Sequence, residues 1–195
     1  SHELVQFTME ELKAMVDEAH MNGLKVTAHA TFDEAISRVV QAGVDCVEHG
    51  GSMSDDTIKL LLDRGVPIVT TFSPLVLQAQ RGLEYGMPQI EVDRRIEQMN
   101  DTARFAGNRA AAEAGIPIMF GTDAGSPVVP HNEIVEELKF MVHVGVCADN
   151  YDALRSITIR AAQLLELDQT LGTLEVGKTA DMAIVAAFGR DVPTV

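Results

Sequence analysis

The sequence predicts an α/β protein built on a parallel sheet, and three observations carry that prediction. Amphipathic helical stretches alternate with short apolar runs from residue 9 to about residue 165. Glycines close four of the helical stretches, at Gly23, Gly43, Gly65 and Gly115, each followed directly by an apolar run. Three of those runs end on a side chain able to bind a metal: KVTAHA at His29, DCVEHG at His49 and IMFGTDAG at Asp123. Repeated βα units demand a parallel sheet covered by helices. Ligand-type residues at C-terminal strand ends are where a parallel barrel builds its active site. An open doubly wound sheet is the competing architecture, but no glycine-rich phosphate fingerprint follows any of these runs. DAGSP at 123–127 is too short for a P-loop.

The first helix is expected over 9–22. Thr8 and Glu11 have capping-box spacing, Leu12, Met15, Val16 and Ala19 form the apolar stripe, and Gly23 stops it. A strand follows at 24–29. Thr31 and Glu34 repeat the capping spacing before a helix at 33–42, whose stripe is Ile36, Val39 and Val40. The strand at 44–49 comes next. Ser54 caps a third helix in which Ile58, Leu61 and Leu62 point inward, and a strand occupies 66–72. Residues 73–88 contain Pro74, Gly82, Gly86 and Pro88, and read as an irregular loop suited to an active-site lid. One long helix is expected from 89 to 114, then a strand at 116–122. Asn132 caps a helix carrying Ile134, Val135, Leu138, Met141 and Val142. Another helix spans about 150–165, and a turn-rich tail leads to a short strand at 181–186.

Composition excludes several classes. The 195 residues, 46% hydrophobic and 23% charged, suit one globular domain with a real core. A formal charge of -14 disfavours phosphate backbones and anionic membrane surfaces. No apolar run approaches the roughly 18 residues of a membrane span. Two cysteines, Cys46 and Cys147, make neither a disulfide framework nor a cysteine-rich zinc site; Cys46 reads as a small core residue. SHELVQFT has no basic region followed by an apolar one, so no signal peptide is expected and a cytoplasmic protein is. The chain begins without methionine and leads almost directly into a helix, which suggests a processed, trimmed or incomplete chain.

His29 and His49 each read, alone, as a hydrogen-bonded residue at a strand end. Together with Asp123 they favour a metal site. Imidazole nitrogen and carboxylate oxygen suit zinc and similar divalent ions, with Zn–N near about 2.0–2.1 Å. Such an ion lowers the pKa of its water toward about 7. A carboxylate beside that water can take its proton and pass it to a leaving nitrogen, and Asp123 suits that role; the alternative is a turn or N-cap aspartate. His131, in SPVVPHNE, is a candidate for substrate binding or a surface loop histidine. Glu48 alternates away from His49 and is expected to face the helices or cap a loop. His20 is placed to meet the carbonyls ending the first helix, His143 to be structural or exposed, and Asp55–Asp56 to supply helix N-terminal charge.

The segments EAHMNGLKVTAHA, AGVDCVEHG and AGIPIMFGTDAG, with the tail ALRSITIRAAQLLELDQTLGTLEVGKTADMAIV, resemble the metal-dependent amidohydrolase superfamily. The resemblance is strongest to its imidazolonepropionase-like and Xaa-Pro dipeptidase-like members. It implies a (β/α)8 TIM-type barrel with a small β-rich domain built from both chain ends. Residues 1–165 would hold barrel strands five to eight, and 166–195 would enter the small domain. His29 then matches the strand-five ligand; His49 matches the strand-six histidine, a ligand in two-metal members and a catalytic or supporting group in one-metal members; and Asp123 matches the strand-eight aspartate, both ligand and general base. The family's first metal motif, His-x-His, occurs nowhere here, and the strand-four lysine would precede residue 1.

The implied activity is metal-dependent hydrolysis of an amide-like C–N bond in a small cyclic amide or dipeptide, with one or two zinc ions in the complete enzyme. Phosphotriester hydrolysis or deamination are lesser alternatives within the superfamily. From the other class, the alternative is an inactive half-barrel module or fragment that needs the missing half. The expected partners are a small-molecule substrate, no nucleic acid and no membrane. Open sheet edges further predict a homo-oligomer or packing against a missing N-terminal half.

Overall fold

The computed structural model describes residues 4–183. Four strands, β1 (Thr27–Ala30), β2 (Cys46–His49), β3 (Ile68–Thr70) and β4 (Ile118–Phe120), form one sheet in the order β1-β2-β3-β4, every pair parallel. The helices are α1 (Met9–Met21), α2 (Asp33–Ala42), α3 (Asp55–Arg64), α4 (Ser73–Arg81), α5 (Gln89–Asn100), α6 (Ala106–Glu113), α7 (Val135–His143), α8 (Asn150–Ile157) and α9 (Ile159–Leu164). Among the described residues no helix is long and apolar enough to cross a membrane. The strand expected at 181–186 falls outside the described residues from 184 onward, and 181–183 form no regular element.

Strand register separates the two sheet faces. Ala28, Val47, Ile68 and Ile118 lie side by side across the four strands. Val47 and Ile68 are fully buried and Ile118 nearly so, packed with Ile36, Val40 and Leu61 from α2 and α3. Taking each such side chain out of water contributes about 1.5–3 kcal/mol. The alternate row is His29, Glu48, Val69 and Met119. Sequential parallel order with helical crossovers puts all C-terminal strand ends, and so His29, His49 and the segment before Asp123, on one rim.

The local signals for α1 and α3 operate as expected. Thr8 and Glu11 form a reciprocal capping box, and Ser54 caps α3 by accepting from the Thr57 N–H. Gly43 and Gly65 end α2 and α3 in the left-handed conformation. Six expectations fail. Thr31 does not cap α2, whose N-cap is Phe32; instead Asp33 accepts from the Ser54 N–H and ties α2 to α3. Leu62 is exposed, one step off the buried stripe of Ile58 and Leu61.

The segment 73–88 is helical, as α4 and a 3-10 turn over Gly82–Tyr85. Pro74 sits in the first turn of α4, where its missing N–H costs no helical bond. The single helix expected over 89–114 is broken at Asp101, whose side chain accepts from Ala103 N–H and starts a 3-10 turn. Asn132 does not cap α7, which starts after Ile134. The helix at 150–165 divides at Thr158 into α8 and α9.

One buried charge-bearing group joins the layers. Glu137 on α7 is fully buried and reaches across to the start of α4. It accepts from the N–H groups of Phe72 and Ser73 and from the Ser73 hydroxyl. These are orphan donors of a helix N-terminus, satisfied from 64 residues away. Phe72, Phe105 and Phe140 pack ring to ring beside it at 5.5–5.6 Å.

Candidate functional site

β1 and β2 bring two of the expected residues together. The His29 and His49 rings meet edge to face with centroids 4.4 Å apart. Parity alone would not do this. His29 pairs in register with Glu48, while His49 pairs with Ala30, which belongs to the other row. His49 escapes the pleat because its φ is 70°, in the left-handed region. Gly50 and Gly51 continue the turn at φ 63° and 151°. Asp123 also has positive φ, 55°. Holding an L-residue there costs on the order of 1–3 kcal/mol, and such strain clusters at functional sites.

Glu48 corrects the sequence reading. It lies on the His29 row, away from the covering helices, and accepts from the Thr27 hydroxyl at 2.6 Å. The error came from taking His49 as the reference for strand parity when His49 is the residue that departs from it. His20 is also reassigned: its Nε2 lies 2.8 Å from Asp45 Oδ2, which accepts from the Val26 N–H and so anchors the end of α1 to the sheet. His143 packs its ring on Phe140.

Burial holds the His49 pKa below the usual imidazole value, and the neighbouring His29 pushes it the same way. The carboxylates of Asp123 and Glu48 oppose that shift. His49 therefore favours its neutral form, the form with a lone pair to give to a metal or a proton. The Cys46 thiol is buried and pushed up to about 12, so it is inert packing.

Asp123 follows β4 in a compact turn in which the Ser126 N–H donates to its carbonyl. Its side chain is exposed. His131 is exposed as well and lies over Gly125, where an added Cβ would stand 3.9 Å from His131 Cε1. Among the described residues no three His, Cys, Asp or Glu side chains converge into a cluster able to hold a metal. The histidine pair is in contact, and Asp123 influences His49 electrostatically without joining it in such a cluster. As chemistry, two adjacent imidazoles fit two nitrogen donors of a divalent ion; a four-coordinate centre takes further donors.

Two polar residues at the site carry no local sequence signal. Asn108 on α6 donates to the His49 carbonyl at 3.0 Å and accepts from the Gly51 N–H at 2.9 Å. Glu137 caps α4 from α7. Both act across dozens of residues, so only the fold reveals them. A groove of about 460 Å³ runs beside β1, lined by Phe7, Met15, Val26, Ala28 and His29.

The amidohydrolase family matches residues 1–194. An uncharacterised protein of Mycobacterium tuberculosis is 38% identical over 145 residues, covering 70% of this chain and 36% of that protein. An imidazolonepropionase of Fusobacterium nucleatum is 24% identical over 184 residues, covering 93% of this chain and 39% of the enzyme. The crystal structure of a putative prolidase from Bifidobacterium longum superposes with a TM-score of 0.78 at 32% identity, covering 92% of this chain and 45% of that one. The chain thus spans less than half the length of each of these relatives. Amidohydrolases are generally metal-dependent. With a match from residue 1 to residue 194, this chain belongs to the amidohydrolase family.

Proposed function

We propose that this chain carries the C-terminal half of a metal-dependent hydrolase that cleaves an amide-like C–N bond in a small cyclic amide or dipeptide. The observation that carries the reading is the contact of the His29 and His49 imidazoles at adjacent parallel strand ends, His49 favouring its neutral form, with Asp123 ending the β4 segment on the same rim. Similarity to an imidazolonepropionase and to a putative prolidase supports the C–N bond and the small substrate. In this reading residues 1–165 supply barrel strands five to eight, and 166–195 enter the small β domain.

His29 and His49 would hold the ion, most simply zinc, and Asp123 would share it. The ion, when bound, supplies a water of lowered pKa. Asp123 acts as general base, taking a proton from the attacking water and delivering it to the leaving nitrogen. Burial and His29 keep His49 unprotonated, so its lone pair stays available near neutral pH. His131, near Gly125 of the Asp123 turn, would contact substrate. The remaining donors come from elsewhere in the complete protein. The unshared edge of β1 and the apolar groove beside it support packing against further chain, either an N-terminal half or a second copy.

The test is a panel of dipeptides and cyclic amides assayed for amine release or ring opening with zinc added, using the full protein. Activity on one class, lost in Asp123→Asn, is expected. No turnover on any member, or turnover unchanged in Asp123→Asn, overturns the reading.

A further inference from the structure

We propose that Asn108 is the positioning residue of this site: from α6 it locks the turn after β2 and so holds the His49 imidazole against His29. This deepens the reading of His29 and His49 as metal ligands, and only its zinc measurement depends on that reading.

Three observations lead here. First, both ends of the Asn108 amide are committed to the turn. Its Nδ2 donates to the His49 carbonyl at 3.0 Å and its Oδ1 accepts from Gly51 N–H at 2.9 Å. The register between β2 and β3 runs only to Glu48 and Val69. The His49 carbonyl thus lies past that register, and Asn108 supplies its hydrogen bond. Second, the turn it spans is the strained one, with positive φ at His49, Gly50 and Gly51 in succession. That reversal is what takes His49 off the Ala30 row and onto the His29 ring. Third, the packing leaves no slack. A Cβ on Gly50 would come within 2.3 Å of Asn108 Oδ1, one on Gly51 within 2.2 Å of the Thr31 carbonyl oxygen, and one on Gly107 within 2.0 Å of the Gly51 carbonyl oxygen.

Asn108 is itself only 4% exposed, so a lost bond leaves a buried orphan. The site needs one donor and one acceptor on a short stem. Asparagine supplies both; aspartate keeps the acceptor but sets a carboxylate oxygen against the His49 carbonyl, and glutamine is a methylene too long for the space.

The test compares the unaltered chain with Asn108→Asp and Asn108→Ala. Two quantities are read alongside cooperative unfolding by circular dichroism: the nuclear Overhauser contact between the His29 and His49 rings, and zinc affinity by chelator competition. The unaltered chain should show the ring contact. In folded Asn108→Asp the contact should vanish and the zinc dissociation constant should rise about ten- to a hundredfold, the range typical for loss of an orienting partner. If Asn108→Ala does not fold, Asn108→Asp decides, because it keeps the side-chain volume and the bond to Gly51. A folded Asn108→Asp variant with the ring contact and zinc affinity of the unaltered chain overturns the proposal and leaves Asn108 a packing residue. If the unaltered chain shows no zinc binding, the ligand reading fails, while the ring contact still decides the positioning role.

Discussion

Glu137 gives the sharpest prediction about stability. Its carboxyl is fully buried, and burial pushes it up to about 7 from an ordinary 4.5, against the bonds from Ser73 and Phe72 that favour the charged form. The folded chain therefore keeps this proton to a higher pH than the unfolded chain does. Folding takes up a proton across that window, so the contribution is fully present below about pH 4.5 and is lost as pH rises through about 7. The two values differ by about 2.5 pH units, which at about 1.4 kcal/mol per unit bounds the loss at about 3.5 kcal/mol. Urea unfolding followed by circular dichroism at about pH 5 and about pH 8 measures it. His49, whose folded pKa is lowered, contributes with the opposite sign below its unfolded value, so the comparison must be with Glu137→Gln. That variant cannot titrate, and the stability gap between it and the unaltered chain should change between the two pH values by up to about 3.5 kcal/mol. Glu137→Ala leaves buried donors of Phe72 and Ser73 unpaired and opens a cavity; it should cost about 3–5 kcal/mol at about pH 5 and less at about pH 8, because it too cannot titrate. An identical pH dependence in the unaltered chain and in Glu137→Gln would refute the reasoning.

Other predictions follow from single contacts. His29→Ala removes the neighbour that pushes the His49 pKa down, so His49 should titrate at higher pH, read by NMR of its ring protons; an unchanged or lower value would contradict the electrostatic account. Gly50→Ala places a Cβ at φ 63° within 2.3 Å of Asn108 Oδ1 and 2.9 Å of Ile68, and should cost at least about 2 kcal/mol in urea unfolding. Thr8→Ala dissolves the α1 capping box and should cost about 1 kcal/mol, a loss that thermal unfolding resolves.

Much of this architecture is legible in the chain because the signals are local. Glycine after an apolar stripe ends α2 and α3, and apolar runs after Gly23, Gly43, Gly65 and Gly115 lead into β1 to β4. What escapes is set by contacts distant in sequence. Thr31 and Glu34 have capping spacing, yet the Thr31 carbonyl packs against Gly51, and Phe32 takes the N-cap position of a helix that begins at Asp33 as expected. Pro74 and Gly82 look like breakers, but a carboxylate from α7 caps α4 and makes a helix of the expected loop. At the site, residue types and strand ends are readable, whereas Glu48 is misassigned because a left-handed residue cannot be foreseen from alternation. Asn108 is invisible because its bonds to His49 and Gly51 span 59 and 57 residues.

The central claim, that His29 and His49 are the metal-binding half of this site, is tested most directly by metal content. Purified chain equilibrated with zinc, freed of excess and analysed by mass spectrometry should retain bound zinc, and His29→Ala and His49→Ala should each lose it while still unfolding cooperatively. Zinc retained equally by both variants, or none retained by the unaltered chain, would contradict the account.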